Sequence, residues 1–230
     1  MNQLKAQGIV LSRINFRETD RIIAIITPDH GKVSLIAKGS RTLKSKLAGG
    51  IELFTINDLN FIKGRGEIAT LVSSRLSKNF ANIVKDIERV QLGYEILKII
   101  DRTTEDQPEP EYYYLLANAL SGLDDLELPI SVVRFWFLAR LIAQSGHSPN
   151  LLTDNQDNRL SELGNFGFDF DRMSFMADFN GGYSVNDVKF FRLALALNSP
   201  RSLGRVQKAS DHALAMMPLV NSMRSNHLYG

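Results

Sequence analysis

Cysteine is absent from all 230 residues, which excludes disulfides, a thiol nucleophile and cysteine-held zinc. A reducing compartment fits that absence. Long apolar runs are also lacking. The most apolar stretch, Val132 to Ala143, is broken by Arg134 and Arg140 and is too short for a bilayer span. The N-terminus has one early Lys5 and a brief apolar run from Ile9 to Leu11, so no secretory leader is expected. A soluble, cytoplasmic chain is the expectation, and its length allows one large domain or two small ones.

The motifs of common chemistries are missing as well. No phosphate-wrapping Gly-x-x-x-x-Gly-Lys-Ser/Thr is present, and Gly39 to Ser45 lacks the required spacing. There is no Gly-x-Ser-x-Gly elbow. His30, His147, His212 and His227 are scattered, and none has a partner at metal-ligand spacing. Asp169, Asp171 and Asp178 could chelate a cation, but an acidic loop explains them more simply. No catalytic residue, metal or cofactor is expected, and binding is favoured over catalysis.

Carboxylates are scarce where bases are dense. Residues 30–46 carry Lys32, Lys38, Arg41, Lys44 and Lys46 without one Asp or Glu. Residues 1–80 hold 13 Lys/Arg against 6 Asp/Glu, whereas the remaining 150 hold 14 against 19. The net charge of +2 therefore hides a basic front, the footprint expected for a polyanion partner. Each cation that neutralises a phosphate releases condensed counterions. The candidate nucleic-acid contacts are Arg13, Phe16, Arg17, Lys32, Lys38, Arg41, Lys44, Lys46, Lys63 and Arg65. Phe16 suits either a stacking platform for a base or a plug at a barrel end. Tyr112, Tyr113 and Tyr114 lie among carboxylates on a helix, where one or two should be buried.

The front reads as strands: Lys5–Ile14, Arg21–Thr27, Lys32–Lys38, Ile51–Ile62 and Glu67–Arg75. Val33, Leu35 and Ala37 share one face. Phe54 and Phe61 fall in the fourth run on opposite faces, so at least one is core. Pro28 to Gly31 and Lys63 to Gly66 supply turn chemistry. Five short strands without crossover helices predict a small closed barrel, of OB type or a similar Greek key. From Asn79 the period becomes helical, with Ile83, Ile87, Val90, Tyr94 and Leu97 on one stripe. Further helices are predicted near Glu111–Leu120, Pro129–Gln144, Val185–Leu197 and Ala209–Met223, the last kinked or restarted at Pro218. Residues 148–182 read as irregular, with a short strand pair around Phe166–Phe179. The fold class is α+β: an OB-type barrel over 1–78, then an all-helical part over 79–230.

An ordered set of motifs adds to this reading. Gly8-Ile9-Val10-Leu11, Glu18-Thr19-Asp20-Arg21, His30-Gly31-Lys32-Val33 and Ala37-Lys38-Gly39-Ser40-Arg41 stand in series. Lys46-Leu47, Gly50, Leu53-Phe54 and Gly64-Arg65-Gly66-Glu67 follow, then Arg140-Leu141, Gly146 and Pro149-Asn150-Leu151. The chain resembles the RecO recombination mediators, almost continuously over its first 80 residues and more thinly beyond, with Ser222 to Ser225 a weak echo of the family's end. The resemblance implies an OB barrel, a helical second part and a non-enzymatic protein that binds single- and double-stranded DNA and anneals complementary strands. With RecR, it would help RecA replace single-strand-binding protein in DNA repair. Many members follow Pro-Asn-Leu with paired cysteines that hold zinc; here Thr153, Asp154, Asn155 and Gln156 stand there instead.

One partner site can be named under that resemblance. The acidic, apolar-ended tail of single-strand-binding protein needs an apolar pocket rimmed by a cation. Arg140, beside Leu141 and one turn from Phe137, is the candidate, against an ordinary intramolecular ion pair with a C-terminal carboxylate. Two other classes compete for the function. An OB barrel could serve RNA or translation, and Asp169, Asp171 and Asp178 could serve a metal-dependent phosphodiesterase.

Overall fold

A single long strand sets up the front half. β1 (Asn2–Phe16) pairs through its first half with β4 (Thr55–Lys63) and through its second half with β2 (Asp20–Thr27). A bulge between Val10 and Ser12 bends the strand between its two partners. β3 (Gly31–Ala37) pairs antiparallel with β2, and β5 (Ala69–Asn79) pairs antiparallel with β4. β3 then meets β5 in parallel through Leu35↔Ala69 and Ile36↔Thr70, which closes the barrel in the order β1-β2-β3-β5-β4. This is the small closed five-stranded barrel, OB-like, that the strand pattern predicts. The structure is a computed structural model and describes residues 2–45, 47–64 and 66–227.

Alternation along the strands fills the barrel. Val10, Ile23, Ile25, Leu35, Ala37, Leu59, Phe61 and Leu71 point inward and are buried. Each such aliphatic side chain contributes about 1.5–3 kcal/mol by leaving water. Gly8 marks a close approach, since a Cβ there would stand 2.9 Å from Leu59 Cδ1. Gly31 adopts φ +63° in the β2–β3 turn, where the backbone of Gln107 occupies the space of a side chain. Phe61 lies in the barrel core, and Phe54, just before β4, is also buried, against Gly93.

A 3-10 turn (Ile83–Lys85) separates the barrel from α1 (Ile87–Thr103). The Asp86 carboxylate caps α1, accepting from the N–H groups of Glu88 (2.9 Å) and Arg89 (3.2 Å). The buried face of α1 is Leu92, Gly93, Ile96, Leu97, Ile99 and Ile100. The stripe read from the sequence is therefore out of phase: Ile87 is 69% exposed and Tyr94 52%. The 3-10 turn puts Ile83 and Ile87 on different helical frames. Arg89 lies on the buried side and donates to Leu123 O at 2.9 Å. α2 (Pro110–Asp124) buries Tyr112 and Tyr113 and leaves Tyr114 exposed. The Tyr113 hydroxyl donates to Gln7 Oε1 (3.0 Å), and burial pushes its pKa up to about 12.

Secondary structure changes type after Asn79, beside the boundary at 78 read from the sequence. Compact packing divides the chain later, between Asp124 and Asp125, because α1 and α2 pack with the barrel strands. In the second unit, α3 (Ile130–Gln144) is apolar on nearly all sides and buries Phe135, Trp136, Phe137, Leu138, Leu141 and Ile142. Pro129 precedes its first turn, and Gly146 at φ +84° ends it. α4 (Val185–Ala196), α5 (Pro200–Leu203) and α6 (Ala209–His227) pack around it. α6 runs through Pro218 as one helix, so the expected restart does not occur.

The reading of an all-helical second part needs one amendment. Strands β6 (Asn150–Asp154), β7 (Asn165–Asp169), β8 (Ser174–Ala177) and β9 (Tyr183–Ser184) form a four-stranded sheet in the order β6-β8-β7-β9. β7 and β8 are the strand pair read around Phe166–Phe179. The other two edges join residues too distant or too few to leave a local pattern.

Candidate nucleic-acid interface

The β1–β2 turn and the loop leaving β3 are built onto each other at one end of the barrel. Phe16 closes β1, and Arg17 follows in the left-handed region (φ +53°), with its guanidinium 5.1 Å from the Phe16 ring centroid. Asp20 opens β2 and is buried. Its carboxylate accepts from Gly39 N (2.8 Å) and Thr19 Oγ1 (3.1 Å). The Gly39 N–H does most to hold its pKa below the ordinary 3.8, against the opposing effect of burial, with help from Thr19, Arg17 and Lys38. Arg41 N donates to Thr19 O (2.9 Å), and its Nη1 donates to Arg17 O (3.2 Å). Successive turn bonds, Thr42 N to Gly39 O and Ser45 N to Thr42 O, fold the loop through residue 45.

Five of the ten candidate contacts meet here. Phe16 is half-buried, while Arg17, Lys38, Arg41 and Lys44 are exposed. Of the two carboxylates in the clip, Asp20 is turned inward onto backbone and Glu18 is exposed in the β1–β2 turn. Cations on a structured loop beside an accessible aromatic can take phosphates and stack a base.

Three other candidates lie elsewhere, two of them engaged. Arg13 Nη1 pairs with Glu52 Oε2 at 2.6 Å. Lys32 Nζ donates to Asp101 O (2.7 Å) and lies 3.7 Å from its carboxylate, which ties β3 to the end of α1. Lys63 is exposed and lines, with Lys32, His30 and Phe61, a cavity of about 220 Å³ that Asp29, Glu67 and Asp106 also border. That mixed setting is a weaker attractor for phosphate. Lys46 and Arg65 lie outside the described residues. The sequence pattern does not single out Asp20 as the clip; an acid at the first position of a strand that follows a basic turn is the available signal.

Comparison with known families bears on the same segments. The model of recombination protein O (RecO), N-terminal part, matches residues 1–80, and that of the C-terminal part matches residues 84–228. The chain belongs to the RecO family. It is similar to the DNA repair protein RecO of Acetivibrio thermocellus, 34% identical over 151 residues, covering 65% of this chain and 59% of the relative. The RecO of Listeria welshimeri is 33% identical over 122 residues, covering 53% and 48%. That of Alkaliphilus metalliredigens is 30% identical over 149 residues, covering 64% and 60%. The chain thus spans about half to three-fifths of the length of these relatives.

Residues 150–158 take in the end of the Pro-Asn-Leu segment and the stretch after it, where the resemblance implies paired zinc-binding cysteines in many members. The residues here do not fit that metal; they make turns of their own. Asn150 Oδ1 accepts from Leu152 N (3.0 Å) and Thr153 N (3.1 Å). Asp154 Oδ1 accepts from Gln156 N (2.9 Å) and Asn158 N (2.8 Å). Asp169 accepts from Asp171 N (3.0 Å) and Arg172 N (3.1 Å), and Asp178 from Asn180 N (3.0 Å). Side-chain-to-backbone bonds thus organise these loops. Among the described residues no group of three His, Asp or Glu is gathered as a metal set. Among them, too, no helix is long and apolar enough to cross a membrane.

Arg140 is half-buried on α3. Its Nη1 donates to Leu195 O, and its Nη2 lies 3.5 Å from Asn198 Oδ1. Trp136 Nε1 donates to Leu197 O (2.8 Å) nearby. Both side chains secure the carbonyl end of α4; these partners of Arg140 are a backbone carbonyl and an amide, not the carboxylate of the ion pair weighed against a partner contact.

Proposed function

We propose that this RecO-family chain is a non-enzymatic, cytoplasmic recombination mediator in DNA repair. It binds single- and double-stranded DNA at the barrel end, anneals complementary strands, and acts with RecR to load RecA onto DNA coated by single-strand-binding protein. The observation that carries the reading is the clip of Asp20 on Gly39, which gathers Phe16, Arg17, Lys38, Arg41 and Lys44 at one place. Family membership supports the repair role, and the similar proteins are themselves DNA repair proteins by name.

The test replaces Arg41, Lys44 and Lys46 by Ala and titrates single-stranded oligonucleotides of several sequences at several salt concentrations. Affinity should fall about equally for all sequences, and the salt slope should drop by roughly two units. An unchanged affinity and slope would make the loop merely solvated. RNA of the same sequence serves as competitor, and preferential displacement by RNA would favour a translation-associated role. Annealing is read separately, with complementary strands coated by single-strand-binding protein.

A further inference from the structure

The acidic back of the chain is not uniform. Residues 81–184 hold 8 Lys/Arg against 17 Asp/Glu, whereas residues 185–230 hold 6 against 2. One of those two carboxylates, Asp187, is buried and occupied: it accepts from Ser184 N and Oγ, and lies 2.7 Å from His212 Nδ1. The bases of this last segment are thus left with little competing charge of their own.

The second unit arranges several of them around two cavities. One, of about 470 Å³, is lined by Lys189 and Asn186 of α4, by Gln207 and Lys208, and by His212 of α6. No carboxylate lines it. His212 lies against the Phe190 ring, centroids 5.5 Å apart, with Nδ1 committed to Asp187. The other ring nitrogen is the one left for a ligand. Lys208 holds φ +56°, a left-handed conformation that a side-chain-bearing residue adopts at a cost and that recurs where function requires it. Lys189 and Lys208 are exposed and make no ion pair among the described residues.

Lys189 also borders the other cavity, of about 390 Å³, with Arg159 and with Arg192, whose Nε donates to Leu151 O (2.6 Å) and whose terminal nitrogens remain for a ligand. Leu160, Phe166 and Val188 give that cavity an apolar lining, and Glu162 is its one carboxylate. The cations Arg159, Arg192, Lys189 and Lys208 therefore extend over adjoining cavities instead of converging on one point. A ligand with a single charge would use one of them. A chain with a charge on every unit and an apolar face between charges would use them all, and single-stranded nucleic acid has that chemistry.

We propose that the α4–α6 face of the second unit is a second nucleic-acid site, which holds one strand while the barrel end holds another. The proposal rests on the reading that the barrel end binds DNA, and it assigns to the helical half the strand that annealing must bring in.

The test uses the full chain and two short, non-complementary oligonucleotides, one labelled with an energy-transfer donor and the other with an acceptor. Sedimentation of the complex counts strands per chain, and energy transfer reports two strands held together. The wild-type chain should hold two. Lys189→Gln with Lys208→Asn removes both charges and keeps a residue that tolerates positive φ at 208. That variant should hold one strand, lose the energy transfer, and lack the second binding step. The single variant Lys189→Gln, on an exposed helix face, should reduce the salt slope of the second step by roughly one unit even if the double variant folds poorly. Retention of two strands and full transfer by the folded double variant would overturn the site. So would displacement of the second strand by an acidic peptide from the wild type alone at concentrations that leave the first strand in place, which would make the face a peptide site. Arg41→Ala with Lys44→Ala is the parallel arm. If that variant keeps both strands, the barrel reading fails, a result independent of what the α4–α6 variants show.

Discussion

At the scale of single residues, a carboxylate can matter more to an anion site than any of its cations. Asp20 binds no phosphate, yet its hydrogen bond to Gly39 N holds the basic loop on the β1–β2 turn. Asp20→Ala should weaken oligonucleotide binding several-fold although it removes a negative charge, and Asp20→Asn should restore part of the loss. Tighter binding by Asp20→Ala, the outcome expected from charge alone, would show that the clip does not position the loop. Arg140 is a second case. Removing its bond to Leu195 O should cost about 2 kcal/mol of stability, the typical worth of a charged donor on a carbonyl. If Arg140→Ala also weakens binding of a labelled acidic tail peptide while the protein remains folded, the residue has both roles. If only the melting temperature falls, its role is structural. Charge runs are legible in sequence, but engagement is not: Arg13 and Lys32 read as free cations because Glu52 and Asp101 stand far along the chain.

At the scale of elements, what was readable was what depends on neighbours in sequence. The barrel strands announce themselves by alternation and bounding turns, and α3 by Pro129 and Gly146 at its ends. α1 was read out of phase because a 3-10 turn, which leaves no apolar period of its own, resets the frame between Ile83 and Ile87. β6 leaves no local signal because it joins β8 in parallel, Asn150 to Ser174, with a polar turn and all of β7 between them. The start of α4 offers a prediction at this scale. Ser184 and Asp187 form a capping box, and His212 adds a bond from α6. Burial works to raise the Asp187 pKa, but the bonds from Ser184 and His212 outweigh it and hold the carboxyl below the ordinary 3.8. A depressed carboxylate stabilises the fold above its unfolded value, and the contribution disappears as pH falls through the folded one. Asp187→Asn should therefore lower the melting temperature at neutral pH, by about 1 kcal/mol in stability terms. The gap to wild type should narrow as pH falls below 3.8. A gap independent of pH would assign the loss to packing.

At the scale of the whole molecule, the near-neutral net charge is a sum of unlike segments: a basic front, an acidic middle and a basic end. The first two were legible as a contrast between front and back, and the third was hidden by averaging over 150 residues. The barrel carries a further consequence, in its kinetics. β3 and β5 meet over only two residue pairs, while β1 pairs with β4 over eight and with β2 over seven. Closing that contact requires the chain between the two strands to be looped back, an entropic cost incurred before the bonds form. The β3–β5 edge should therefore form last and open first. In native-state hydrogen exchange, amides of Leu35, Ile36, Ala69 and Thr70 should exchange well ahead of those of Ile9, Ile25 and Leu59; equal protection would mean that the barrel opens only as a whole. Because the basic loop begins where β3 ends, a nucleic-acid strand seated on it would restrain that opening from outside, and protection at the edge should rise on binding although no phosphate touches it.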